Sequence, residues 1–233
     1  MLLEAPEVFA KSRKSGDLED AMPDHLIAPD QVAAALARQL IHDAMGPASG
    51  IVSAFDLIAD PLAASMREES IKLAADSARR LVAMLGLARL IHSEGAALTK
   101  GDLATAAGQV FDGSRAVFQL RFEGAEPTAL SGRVLLGLLQ IAATASAAGG
   151  EVNANHSGAG TFEISVECVG PRVRLADEVV AGFAGVRPDS GALHRWAPAF
   201  MIGAMARGSG GNVRAERSSV GAMFRAIIGP TAA

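Results

Sequence analysis

Residues 37–61 read Ala37-Arg-Gln-Leu-Ile-His-Asp-Ala-Met-Gly-Pro-Ala-Ser-Gly-Ile-Val-Ser-Ala-Phe-Asp-Leu-Ile-Ala-Asp-Pro61, and their periodicity decides the architecture. Leu36, Leu40, Ala44, Pro47, Ile51, Phe55 and Ile58 recur at steps of three and four, the spacing of one helical face. Ile41, Met45 and Val52 add a second apolar strip beside that seam, while Arg38, His42, Gly46, Ser49 and Ser53 share a polar face of small residues. His42 lies two positions from both Leu40 and Ala44. At 3.6 residues per turn the imidazole therefore stands roughly 160–200° from the seam and points outward. The spacing predicts a helix from an Asp30 N-cap, after Pro29, to about Ile58, ended by Asp60-Pro61. Pro47 sits inside the pattern, where it costs helix stability.

A second helix is expected from about Ala64 to Ser93, with Gly95 as its stop. It carries Ala74, Ala78, Leu81, Leu85 and Ala88 on one stripe, with Leu73, Met84 and Ile91 beside it. The short link makes the two helices an antiparallel hairpin. A hairpin buries one stripe of each helix internally. The second stripe needs either another copy of the chain, giving four helices, or the rest of the same chain.

Beyond residue 96 the texture changes to α+β. Thr99-Lys-Gly-Asp102 has the form of a capping box opening a short helix to about Phe111. Ala116–Glu123 alternates as a strand. An apolar helix follows from about Leu130 to Ala147, within the uncharged run from Val134 to Gly150. That run is at the lower edge of membrane-spanning length and reads as a buried core helix. Glu151–His156 and Thr161–Cys168 form a hairpin across Ser157-Gly-Ala-Gly160, and helices near 175–184 and 194–207 precede strands Asn212–Arg217 and Val220–Ile228. The organisation is thus a mobile tail over 1–28, a helical hairpin over 29–96 and an α+β domain over 97–233.

Composition narrows the function class. Of 233 residues 50% are hydrophobic but only 4% aromatic, so Ala, Leu, Val and Ile fill the core and disorder of the whole chain is excluded. A formal charge of −4 argues against a nucleic-acid footprint. The single Cys168 reads as a buried small hydrophobe in a reducing compartment. Acid stands where a secretory leader carries positive charge, and the expected location is the cytoplasm, away from membranes. His25, His42, His92, His156 and His194 show no ligand spacing, so no metal site is expected.

His42-Asp-Ala-Met-Gly-Pro47 resembles the phosphoacceptor box of histidine kinases: a His, an acidic neighbour, and Pro at the fifth position after the His. The wider stretch from Ala37 to Pro61 is similar to ChpT-type histidine phosphotransferases of alphaproteobacteria, and the likeness extends over nearly all the chain after the tail. It implies a dimerisation and phosphotransfer hairpin, a four-helix bundle in the homodimer, followed by a degenerate histidine-kinase-type ATPase α/β sandwich. Where the kinase pattern has an Asn for Mg²⁺ and ATP, this chain has Ile141; where it has Asp-x-Gly-x-Gly, Cys168 replaces the Asp and Arg172 the second Gly. Trp196–Arg214 resembles the last helix and Gly-Gly turn, without the Gly-rich phosphate loop. Isoleucine offers Mg²⁺ no oxygen and a thiol does not mimic the carboxylate, so no ATP is expected.

The resemblance implies that His42 relays a phosphoryl group between the receiver-domain Asp of a hybrid histidine kinase and the Asp of a response regulator, with Mg²⁺ from the receiver. Asp43 either orients the ring or is a solvated carboxylate, since neighbours in sequence do not share a helix face. Arg38 offsets phosphate charge or is an ordinary surface arginine. With the turn near residue 62, Met84, Leu85 and Ala88 come level with His42 and join Met45, Gly46 and Ser49 in a docking patch. Three other readings compete. An active kinase would bind nucleotide, a receiver-binding or scaffolding module would carry no phosphate, and a zinc protein would need clustered ligands.

Overall fold

The structure, a computed structural model, describes residues 28–93, 95, 97–188 and 193–230. The tail expected over 1–28 lies outside the described residues except for Ala28. Helix α1 runs Pro29–Ala59 and α2 runs Arg67–His92, antiparallel to it. Between them Pro61–Met66 forms a 3₁₀ turn, capped by the Asp60 carboxylate, which accepts from the Leu62 N–H at 2.8 Å. This tight turn occupies the residues expected to begin the second helix, so α2 starts three residues later than Ala64.

Three other expectations are corrected at the ends and faces of the hairpin. The N-cap is Ala28, without a side-chain bond; Pro29 and Asp30 fill the first turn, where the fixed proline φ and the acidic charge both suit a helix start. Gly95 takes no part in ending α2, because Ser93 is extended and its hydroxyl bonds back to the Arg89 carbonyl. Leu40 and Phe55, placed in the seam by their spacing, are exposed. The hairpin closes instead on small residues, with Ala54, Ser70 and Ser77 buried. A Cβ on Gly50 would lie 2.7 Å from Ser77 Oγ, so the two backbones approach closely here and the larger side chains turn outward.

The capping box forms as expected: Thr99 and Asp102 bond each other's backbone N–H at the start of α3, Lys100–Phe111. Strand β1 is Ala116–Phe122, α4 Ala129–Ala145, β2 Gly150–Ala159 and β3 Thr161–Val169. Pairing of β2 with β3 continues to Ala159↔Thr161, so Gly160 alone, at φ +87°, makes the turn that was expected to span Ser157–Gly160. Helices α5, Asp177–Ala184, and α6, Leu193–Gly208, precede β4, Asn212–Ser218, and β5, Gly221–Ile228.

The five strands form one sheet in the order β1-β2-β3-β5-β4, with β1 parallel to β2 and the other pairs antiparallel. Val152, Cys168 and Ala222 lie in one cross-strand row and Ala154, Val166 and Phe224 in the next, all buried on the face that the helices cover. The other face carries Glu163, Glu167 and Arg225 and is open. Helix α4 lies at the centre of the covered face, packed on β2, β3 and β5 and flanked by α2, α3 and α6, which is why most of its residues are buried and apolar. No helix among the described residues is long and apolar enough to cross a membrane.

The hairpin joins this domain at two places. Ala35 near the start of α1 is buried against Trp196 and Ala197 of α6. At the other end, Ile91 of α2 belongs to the core of the α+β domain, and Arg133 Nε donates to the Ile91 carbonyl at 2.9 Å. The second stripe is therefore divided. Ile91 of α2 packs on the chain's own domain, whereas Ile41, Met45 and Val52 of α1 remain 62%, 58% and 61% exposed.

Candidate functional site

Helix α1 places His42 on its outward side with 84% of the side chain exposed, while Asp43 beside it keeps 35%. His42 Nδ1 lies 3.2 Å from Asp43 Oδ1. An ionised carboxylate only accepts, so Nδ1 carries the proton and donates it. In the neutral ring this leaves Nε2 with its lone pair free and facing solvent. Although 100° separates the two Cα–Cβ bonds around the helix, the Asp43 carboxylate swings back to within 3.2 Å of the imidazole. Its other oxygen, Oδ2, accepts from Gln39 Nε2–H at 2.8 Å.

Pro47 stands four residues after Asp43 inside the helix. Proline has no N–H, so the Asp43 carbonyl lacks the partner that an unbroken ladder would supply. The Asp43 carbonyl is thus left outside the helix's own hydrogen-bond ladder.

Arg38, Met45, Gly46 and Ser49 are exposed around His42. The Gly50–Ser77 approach fixes which part of α2 faces them. His42 lies eight residues before Gly50, and Leu85 eight after Ser77, so each rises about 12 Å from that contact at 1.5 Å per residue. Leu85 is level with His42 and exposed, whereas Met84 and Ala88 are half-buried.

Inward of His42, Gln39 and Asp43 form one wall of a cavity of about 850 Å³ whose other walls include Ile141, Arg174, His194 and Arg217. Arg217 is held by Asp177 at 2.5 Å and by the Leu175 carbonyl. Ile141 and Cys168, at the positions where the kinase pattern has Asn and Asp, are both buried. Burial pushes the Cys168 thiol above its ordinary pKa, keeping it neutral. Arg172 is exposed. Among the described residues no three His, Cys, Asp or Glu side chains converge in a way that could hold a metal ion.

Two residues carry more than their sequence positions announced. Gln39 joins the site through a pattern that the sequence carries, a Gln four residues before an Asp on one helix. His156 is fully buried between Phe122 and Phe162, at 5.8 and 5.0 Å. Its Nε2 is 3.0 Å from Ser131 Oγ. That hydroxyl already accepts from the Thr128 N–H and donates to the Thr128 carbonyl, so Nε2–H is the donor and Nδ1 is left without a partner. Burial lowers the His156 pKa, and the Lys100 ammonium adds a smaller push in the same direction against a backbone hydrogen bond that raises it.

Residues 100–219 match the family model described as the histidine phosphotransferase C-terminal domain. A solved bacterial phosphotransferase shares the fold at a TM-score of 0.71 and 22% identity, over 86% of this chain and 98% of that one. Histidine kinase AdeS of Acinetobacter baumannii aligns at a TM-score of 0.43 and 14% identity, over 84% of this chain and 98% of that one. The catalytic domain of histidine kinase ThkA gives a TM-score of 0.41 and 18% identity, over 57% and 93%. No curated relative matches the chain.

Proposed function

Given that this chain belongs to the histidine phosphotransferase family, we propose that His42 receives a phosphoryl group from a phospho-Asp of one receiver domain and passes it to the Asp of another, the first in a hybrid histidine kinase and the second in a response regulator. The observation that carries this reading is the exposed His42 ring with its Nδ1 3.2 Å from the Asp43 carboxylate, an arrangement that favours the proton on Nδ1 and leaves the Nε2 lone pair free. The Nε2 lone pair forms the N–P bond as the P–O bond to the aspartyl carboxylate breaks, and that carboxylate leaves with the bonding electrons. Nδ1 keeps its proton, so the phosphorylated ring is a cation, and the Asp43 carboxylate beside it offsets that charge. The return step reverses these bonds on a second carboxylate. Phosphoryl transfer asks little more of a protein than in-line placement and charge neutralisation.

Arg38 is exposed near His42 and adds positive charge for the transferring group. Met45, Gly46, Ser49 and Leu85 form the docking surface, with Met84 and Ala88 at its half-buried edge. Mg²⁺ comes with the receiver. ATP has no part in the reaction, since Ile141 and Cys168 offer neither metal nor adenine the oxygen donors of a kinase.

The chain acts as a cytoplasmic homodimer. Val52 and Phe55 of α1 and Val82 of α2 are exposed apolar residues on the hairpin outside the docking surface, and two copies joined there make a four-helix bundle. Incubation with a phosphorylated receiver should place an acid-labile, base-stable label on the wild type and none on His42→Ala. A His42→Ala chain that still takes up label overturns the relay. A receiver that binds tightly but never transfers favours the scaffolding role instead.

A further inference from the structure

The Asp43 carboxylate is used at both oxygens. Oδ1 takes the His42 Nδ1 proton at 3.2 Å, and Oδ2 takes a Gln39 Nε2 proton at 2.8 Å. Gln39 and Asp43 are four apart and share the inner side of α1, whereas His42 points away from it. Both are half-buried in the wall of the cavity between α1 and the α+β domain, where Arg174, His194 and Arg195 line the other side. A lone carboxylate on this wall turns freely about its last torsion and has the guanidinium groups of Arg174 and Arg195 across the cavity to turn toward. Once Oδ2 is held by a neutral amide, Oδ1 is left with one direction to face.

We infer that Gln39 is a positioning residue for the transfer: its carboxamide anchors Asp43 so that the carboxylate holds the proton on His42 Nδ1 and keeps Nε2 bare. This rests on His42 being the phosphoacceptor. Without the anchor, Asp43 spends part of its time away from the ring and His42 visits the other neutral tautomer, in which Nε2 carries hydrogen and has no lone pair to attack phosphorus. Gln39 touches neither phosphate nor the reacting nitrogen. Its whole effect passes through Asp43.

Gln39→Met keeps the length and helix preference of the side chain and removes the donor. Phosphate uptake from a phosphorylated receiver should slow roughly three- to tenfold, the scale of one net hydrogen bond, with binding of the unphosphorylated receiver unchanged. In an Asp43→Ala background the same substitution should have no effect, because the intermediary is gone. Ring ¹⁵N spectra at a pH where the imidazole is neutral should show Nδ1 protonated in the wild type and a mixed signal in Gln39→Met. A wild-type rate in Gln39→Met, or an equal slowing with and without Asp43, overturns the assignment. If the wild type takes up no label, the relay fails, and the spectra still decide Gln39: a tautomer ratio unmoved by Gln39→Met overturns its role.

Discussion

Acid should loosen this fold through His156. In the unfolded chain a histidine takes up its proton near pH 6.5. In the folded chain burial, with a smaller push from Lys100, lowers that value against a backbone hydrogen bond that raises it, and the ring's Nδ1 has no partner in the folded core. Below about pH 6.5 the unfolded state therefore binds more protons than the folded one, and stability falls as pH falls. The stabilising contribution is complete above that pH and disappears as pH drops toward the lowered folded value. Within that window the slope approaches about 1.4 kcal/mol per pH unit for one proton, against a typical domain stability of about 5–15 kcal/mol. Urea unfolding followed by the fluorescence of the single Trp196 and by helical circular dichroism, from pH 7.5 to 5.5, measures it. His156→Leu should have a flatter profile. At pH 7.5 it should cost only about 1 kcal/mol, because Ser131 keeps both Thr128 partners. His92 is also lowered, by desolvation and then by Arg133, but it lies at the surface; His92→Gln should change the profile less. Equal slopes for wild type and His156→Leu refute the reasoning.

Two further outcomes follow from the hairpin. Gly50→Ala brings a Cβ within 2.7 Å of Ser77 Oγ; the overpacking cost of about 1–3 kcal/mol should outweigh the gain in helix preference of about 1 kcal/mol, and adding Ser77→Ala should restore the urea midpoint. If the proposed homodimer forms through this face, the wild type should scatter light as twice the 23.8 kDa chain mass and Val52→Glu combined with Phe55→Glu as a single copy, whereas a mass unchanged by the pair overturns the proposed seam.

Much of the architecture could be read from local patterns because local physics decides it. The α4 run is mostly apolar because most of its sides are covered, and Thr99 with Asp102 spells its own cap. The hairpin register was harder. Large apolar residues suggested a seam through Leu40 and Phe55, but close approach is set by what is absent, the side chain of Gly50 and the bulk of Ala54 and Ser77. Likewise, the outward face of His42 follows from periodicity alone. Gln39 needed side-chain hydrogen bonds, and the cavity behind Asp43 needed segments up to about 180 residues away in sequence to meet, as with Gln39 and Val220, which no window of sequence contains.

The two attachments of the hairpin make it a cantilever. Its base is clamped where Ala35 packs on Trp196 and where Ile91 enters the other core. Pulling Ile91 free to swing the helices would uncover an isoleucine, at a cost of about 1.5–3 kcal/mol, so reorientation is diverted into bending of the helices themselves. The deflection of such a beam grows with distance from its support. His42 lies seven residues beyond Ala35, about 10 Å along the beam, whereas the turn at Pro61 lies about 39 Å out. Along a single hairpin the imidazole therefore occupies the steadier part of the span, and the end with its exposed Leu62 is the part that a second copy, joined through Val52 and Phe55, would brace.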